Sequence, residues 1–245
     1  MNYSDLLKNK TIAIIGPSST ALSSLNGEKI DSCDLVVRLR GNTLPSSEKM
    51  QNHIGKRTDI VYTNFDNNFD DNLAKNLLKN DIKYIRSTRC SEDIGNSWNY
   101  YEKILKNNKF FYSCPDKKKY YSWHEKMKCS PHSGFCAILD LISYDIKSLH
   151  IFGYSFYKQP VIQEWAVNNM GSIKKYNLDY KEVDASSQAV CEKIIDGKKN
   201  IDIGEWKQEK THNNMKEILF FKHVVLNNDD RVFIDDSLKT ILNNL

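Results

Sequence analysis

Short runs of β-branched and aliphatic residues recur along this chain, and several of the stretches between them carry helical spacing. The runs are Thr11-Ile12-Ala13-Ile14-Ile15, Asp34-Leu35-Val36-Val37-Arg38, Asp59-Ile60-Val61-Tyr62, Lys83-Tyr84-Ile85, Leu149-His150-Ile151-Phe152 and Arg231-Val232-Phe233-Ile234. Several are nearly continuous in apolar residues, as a strand covered on both faces must be. Asp71 to Lys79 carries Leu73, Leu77 and Leu78 at helical spacing. Ser133 to Tyr144 carries Phe135, Ile138, Leu139 and Ile142, and His212 to Leu226 carries Met215, Leu219, Val224 and Leu226. Strand, helix, strand in repetition predicts an α/β fold around a mostly parallel sheet, with helices layered on both faces. No internal repeat and no Pro-, Gly- or Ser-rich linker divides the 245 residues, so residues 1–245 form one domain. Residues 114–130 are the least regular stretch. They predict a solvated surface connection, with a mobile lid or acceptor loop as the sharper alternative.

Composition narrows the function classes. With 40% hydrophobic and 27% charged residues, the chain can bury a core without staples. Thirteen Tyr, ten Phe and four Trp exclude a disordered polyelectrolyte. No apolar run is long enough to cross a bilayer, and the opening MNYSDLLKNK has no signal-peptide core, so a cytoplasmic protein is expected. The balance of 35 basic against 31 acidic residues, a net +4, suits a small anionic ligand. It falls short of the concentrated charge of a nucleic-acid binder, and no nucleic-acid partner is expected. The Lys117-Lys118-Lys119 run beside Tyr120 and Tyr121 is better read as a solvated face. The six cysteines, Cys33, Cys90, Cys114, Cys129, Cys136 and Cys191, form no C-x-x-C pair and no zinc spacing with His. They are read as free thiols filling the core, and no metal site is expected.

Four segments have the makings of a site. In Ile15-Gly16-Pro17-Ser18-Ser19 a buried strand ends at a glycine and opens into a polar turn, predicted to lead into a helix whose N-terminus suits a phosphate. After Gly27, Ile30-Asp31-Ser32-Cys33-Asp34 feeds a strand that exits through Arg38, Arg40 and Asn42, the end of a parallel strand where ligands bind. Pro131-His132-Ser133-Gly134 opens an apolar helix, with Ser133 as the expected cap, and the next strand ends in Gly153-Tyr154. Finally, His212 opens an amphipathic helix that carries Glu217. An imidazole at the positive end of a helix dipole stays neutral and available as a base.

In this order the segments resemble the eukaryotic-type sialyltransferases, defined by their sialyl motifs. The large motif is matched by Gly16 to Ser19, Gly27, Ile30, Asp31, Ser32, Asp34, Val36 and Arg38, followed by Gly55, Arg57 and Thr58. The small motif is matched by Pro131, Ser133, Gly134 and Gly153-Tyr154, and the last by His212 and Glu217. The resemblance implies a GT-A-like variant with a seven-stranded sheet flanked by helices. It implies inverting, metal-independent transfer from a CMP-activated 2-keto sugar acid, of sialic acid or Kdo type, to a glycan or glycolipid hydroxyl. No cofactor is implied beyond the CMP-sugar, and a glycolipid acceptor would bring the protein to a membrane surface. In the family His212 corresponds to the base, and Ser133 and Gly134 to the residues on the donor carboxylate and nucleotide. Gly16, Ser18 and Ser19 correspond to the CMP cradle, with Arg38, Arg40, Asn42, His132, Gly153, Tyr154 and Glu217 around it. Asp-x-Asp, the usual metal clamp of nucleotide-diphosphate-sugar enzymes, is absent from the sequence. Two positions depart from the family: Pro17 and Arg40 stand where it has donor-binding Asn. Its third motif has no clean match, with Trp165 and His132 as loose candidates. These departures keep open a catalytically inactive protein that binds CMP or an anionic glycan.

Overall fold

The computed structural model of the protein describes residues 1–39, 48–65, 69–82, 84–156, 158 and 213–245. Its strands are β1 (Thr11–Ile15), β2 (Leu35–Leu39), β3 (Ile60–Thr63), β4 (Tyr84–Ser87), β5 (Phe111–Ser113), β6 (Ser148–Phe152) and β7 (Val232–Ile234). They form one seven-stranded sheet in the order β5-β4-β3-β2-β1-β6-β7, and every pairing is parallel. The helices are α1 (Tyr3–Leu7), α2 (Gly27–Asp31), α3 (Glu48–Ile54), α4 (Asp71–Lys79), α5 (Ser91–Ile94) and α6 (Trp98–Asn107). After them come α7 (Lys117–Met127), α8 (Ser133–Ile142), α9 (Asn214–Phe220) and α10 (Asp236–Asn243).

The alternation of side chains along each strand sorts the core into layers. Ile12 and Ile14 of β1, Val37 of β2 and Ile151 of β6 face one side. There they meet Leu7 of α1, Trp123 of α7, Phe135 and Ile138 of α8, Ile218 of α9 and Leu238 of α10. Ala13, Ile15 and Val36 face the other side, against Ile30 of α2 and Met50 and Ile54 of α3. Farther along that side, Val61 and Ile85 pack on Leu77 of α4 and Leu105 of α6. The result is the expected three-layer α/β/α arrangement. Among the described residues no helix is long and apolar enough to cross a membrane, and Cys33, Cys90, Cys114, Cys129 and Cys136 are free thiols.

Several local expectations need correction. Residues 117–127 of the irregular stretch form α7, not a loop. Asp116 caps it through the Lys119 N–H at 3.1 Å, and Tyr120, Trp123 and Met127 turn one face into the core. The i, i+3, i+7 spacing of those three was present in the sequence, hidden among seven charged or polar neighbours. Edge strand β5 was also missed, because it is only three residues long and Phe111 lies exposed. Ser19 opens a 3-10 turn ending at Leu22, not a full helix. The last amphipathic segment starts at Asn214, capped by the Asn213 side chain, and widens into a π-helix at Phe221–Leu226.

One buried polar network ties α8 to the sheet. Arg86 of β4 meets Asp140 of α8 in a two-pronged pair, Nε to Oδ2 at 2.8 Å and Nη2 to Oδ1 at 2.9 Å. Both side chains are 2% exposed. The remaining capacity is filled: Arg86 Nη1 donates to Ser113 Oγ and the Cys114 carbonyl, and Nη2 to the Tyr144 hydroxyl. Asp140 also accepts from the Tyr62 hydroxyl at 2.8 Å, and the Tyr3 hydroxyl lies 2.7 Å from that of Tyr62. The Arg86 guanidinium sits 4.5 Å from the Tyr3 ring centroid. Burial alone would lower the Arg86 pKa, but the Asp140 carboxylate raises it above the ordinary value. Tyr3 and Tyr62 are pushed well up by burial and by the Asp140 charge. A pair of this kind is far more costly to break than to lack. Asp140→Ala should therefore cost roughly 3–5 kcal/mol in denaturant unfolding, by leaving Arg86 buried and unpaired. An Arg86→Met/Asp140→Leu double variant should lose less than Asp140→Ala alone.

Candidate functional site

In a parallel sheet the ligand crevice opens beyond the carboxyl ends of the strands, where the chain order reverses. Here that point lies between β1 and β6. The chain leaves β1 toward β2 on one side, and leaves β6 toward β7 on the other. Two of the four sequence segments end here, and their backbones interlock. The Gly16 N–H donates to the Phe152 carbonyl at 2.8 Å, and the Ser18 N–H to the Gly153 carbonyl at 3.0 Å. The approach leaves no space for a side chain at Gly16, where a Cβ would lie 2.5 Å from Gly153 O and 2.6 Å from Tyr154 Cδ2. Gly153 has φ +64°, a conformation that favours glycine, and a Cβ there would lie 2.5 Å from that of Ala21.

The third segment joins through Tyr154, whose hydroxyl donates to the Gly134 carbonyl at 3.2 Å. Gly134 is the second residue of α8. A Cβ on it would lie 3.0 Å from Leu39 Cδ1, at the end of β2. His132, not Ser133, is the N-cap residue of α8. Its carbonyl accepts the Cys136 N–H at 2.9 Å, and Ser133 is the first helical residue. The N–H groups of the first turn have no partner within the helix and carry its positive dipole end.

The fourth segment is anchored by Glu217, 2% exposed in the first turn of α9. One carboxylate oxygen, Oε1, accepts both the His132 backbone N–H at 2.9 Å and His132 Nδ1 at 2.7 Å. Oε1 accepting in both contacts places a ring proton on Nδ1. Glu217 thus locks the entry to α8, 85 residues away in sequence. Nearby, Lys216 Nζ donates to the Lys128 carbonyl at 3.2 Å, linking α9 to the end of α7. His212, Arg40, Asn42, Trp165 and Cys191 lie outside the described residues, and of Ser19 only the backbone is described.

Arg38 is placed differently from the expectation of a crevice mouth. It is wholly buried on the face covered by α2 and α3. Its Nε donates to Thr58 Oγ1 at 2.8 Å, and its Nη2 to the carbonyls of Ile54, Gly55 and Arg57. Burial draws its pKa down to about 10, against the opposing pull of Asp31 and Asp59. The acids of the large motif act in the same way. Asp31 accepts the Lys56 and Arg57 backbone N–H groups, and Asp34 accepts that of Thr11 at 2.8 Å. Arg57 reaches the Asp31 and Cys33 carbonyls.

Two residues just beyond strand ends were not singled out from the sequence. Asn64 stands just beyond β3, with its Oδ1 buried and without a hydrogen-bond partner among the described residues. Its signal was its position, directly after a strand buried throughout. Asp235 follows β7 and caps α10 through the Leu238 N–H at 2.7 Å, while its other oxygen accepts the Gly153 N–H, also at 2.7 Å. Burial raises its pKa, and these two donors pull it back down. Among the described residues no three His, Cys, Asp or Glu side chains gather as a metal site would require.

No protein-family model and no curated protein matches the chain. Solved structures do. Monofunctional α-2,3-sialyltransferase Cst-I from Campylobacter jejuni superposes with a TM-score of 0.54 at 17% identity, over 97% of this chain and 82% of that one. The apo form of an α-2,3-sialyltransferase from Campylobacter jejuni gives a TM-score of 0.51 at 13% identity, over 93% and 76%. A mammalian sialyltransferase gives 0.49 at 12% identity, over 93% and 69%. The seven-stranded parallel sheet with its flanking helices thus has the fold of the Campylobacter jejuni sialyltransferases.

Proposed function

We propose that the protein is a glycosyltransferase that moves a 2-keto sugar acid of sialic acid or Kdo type from its CMP-activated donor to a glycan or glycolipid hydroxyl. The observation that carries this is the meeting of Gly16, Gly153 and Gly134 around Tyr154 where the strand order reverses. That junction brings the first turn of α8, whose leading N–H groups have no partner within the helix, to the strand ends, and such a turn suits a donor with one phosphate and one carboxylate. Ser18, Ser19, Ser133 and Gly134 are the assigned donor contacts, with Asn64 added for its unpartnered buried oxygen. Arg38 is left to the scaffold.

In this proposal His212 is the base. It takes the proton of the acceptor hydroxyl as that oxygen bonds to the anomeric carbon from the face opposite CMP. The bond from that carbon to the phosphate oxygen breaks, CMP leaves with the electron pair, and the configuration inverts. A monophosphate leaving group spreads less charge than a diphosphate, and the proposal assigns its stabilisation to helix and backbone N–H groups without a metal. A positioned base typically supplies about 10²–10⁴-fold.

A panel of CMP-activated sugar acids, with product detection, tests the reaction. Transfer from CMP-sialic acid, CMP-Kdo or both is expected, and saturable CMP binding with no transfer from any donor would identify a binding protein instead. His212→Ala should lower turnover by about 10²-fold or more while CMP affinity stays near wild type. Unchanged turnover would remove His212 from the role. Glu217→Ala should act on both stability and donor binding, because it strands two donors at the start of α8. We expect a loss of roughly 1.5–3 kcal/mol in unfolding free energy and weaker CMP binding by calorimetry.

A further inference from the structure

We propose that Asp235 is a positioning residue for the donor cradle, holding the Gly153 backbone in the one orientation in which the β1 and β6 loops meet; the proposal rests on the donor-binding reading above. A helix cap needs one side-chain oxygen, and Ser or Asn serves as well as Asp. Asp235 uses one oxygen in that way, on the Leu238 N–H of α10, and aims the other at the Gly153 N–H. The backbone joins in, with the Asp235 N–H on the Ile151 carbonyl at 3.1 Å. The end of β7 is therefore tied to the end of β6 from both directions.

What the second oxygen holds is a close-packed junction. Gly153 sits at φ +64°, with Ala21 filling the space where a side chain would go and the Gly16 carbonyl 3.0 Å from that same point. Its carbonyl receives the Ser18 N–H, and the next residue, Tyr154, reaches the Gly134 carbonyl. Turning the peptide between Phe152 and Gly153 would shift all of these together. A carboxylate held between two backbone N–H groups fixes that peptide without touching the ligand, and its charge sets the hydrogen bonds above neutral ones in strength. Asp235 acts on the donor through Gly153.

Asp235→Asn separates the two duties. Asn keeps one oxygen for the Leu238 N–H and turns an NH₂ group toward the Gly153 N–H, donor against donor. Asp235→Ser, with a single hydroxyl, gives the same separation without the opposed donor. Asp70→Asn, at the N-cap of α4, is the control for a cap alone. The full chain and each variant are titrated with CMP by calorimetry, their melting temperatures are recorded, and amide hydrogen exchange is followed at Gly153. The expected result is a Kd for CMP raised about tenfold or more in both Asp235 variants, with faster exchange at Gly153. Their melting temperatures should fall no further than that of Asp70→Asn, which should bind CMP as wild type does. Wild-type CMP affinity in the Asp235 variants overturns the positioning role and leaves the donor reading standing. A wild-type chain that does not bind CMP overturns the donor reading, and the positioning role with it.

Discussion

The two-pronged contact between Arg86 and Asp140 sets where α8 lies. Arg86 is fixed by β4, whose neighbours pair with it on both sides, and Asp140 sits near the far end of α8 from the site. Seven residues of helix separate Asp140 from Ser133, about 10 Å at 1.5 Å per residue. A bidentate pair fixes both the depth of a helix and its rotation, because both oxygens and both nitrogens must face each other. The first turn of α8 therefore reaches the end of the sheet at one place, and the Gly134 carbonyl meets the Tyr154 hydroxyl there. Glu217 holds the other end of the same helix through the His132 backbone and ring. Between them, two buried carboxylates define the position of the element that faces the crevice.

The crevice itself follows from topology. Once β6 pairs with β1 on the side away from β2, the chain leaves β1 and β6 toward opposite sides of the sheet, the topology at which parallel sheets bind their ligands. Glycine at positions 16 and 153 lets the two loops approach to hydrogen-bonding distance before they part.

Much of this was legible in the sequence, for identifiable reasons. The central strands are buried on both faces, so their apolar runs are continuous, and all six runs read as strands lie in the sheet within a residue or two. Periodicity placed α4 at its observed ends because Asp70 caps it and Leu73, Ala74 and Leu77 turn one face to the core, although Leu78 lies exposed. The same criterion failed for α7, where three buried aromatic or sulfur-bearing side chains are diluted by lysines, and for β5, whose edge position removes the need for apolar alternation. The site segments were found by their glycines and by the strand ends they follow. The partner contacts were not legible, because each joins residues far apart: 85 positions for His132 and Glu217, 82 for Gly153 and Asp235. Nothing local in the sequence marks either carboxylate as facing a backbone N–H.

The large motif shows how a string can be highly specific while its charged residues bond to the scaffold. Asp31, Asp34 and Arg38 all bond to backbone groups of other segments, and Arg57 returns to the carbonyls of Asp31 and Cys33. Together they lash α2, the start of β2 and the turn before β3 into one block beneath the crevice. Backbone groups are the same whatever the side chain, so such contacts survive wide changes elsewhere in a chain, provided the charged residue keeps its place. A pattern of this sort therefore reports an architecture before it reports a chemistry. Here the architecture is the sialyltransferase fold, shared at 17% identity. The proposed chemistry rests instead on residues at the strand ends: the glycines of the junction, the serines beside them, and the helix start that Glu217 and Asp140 hold in place.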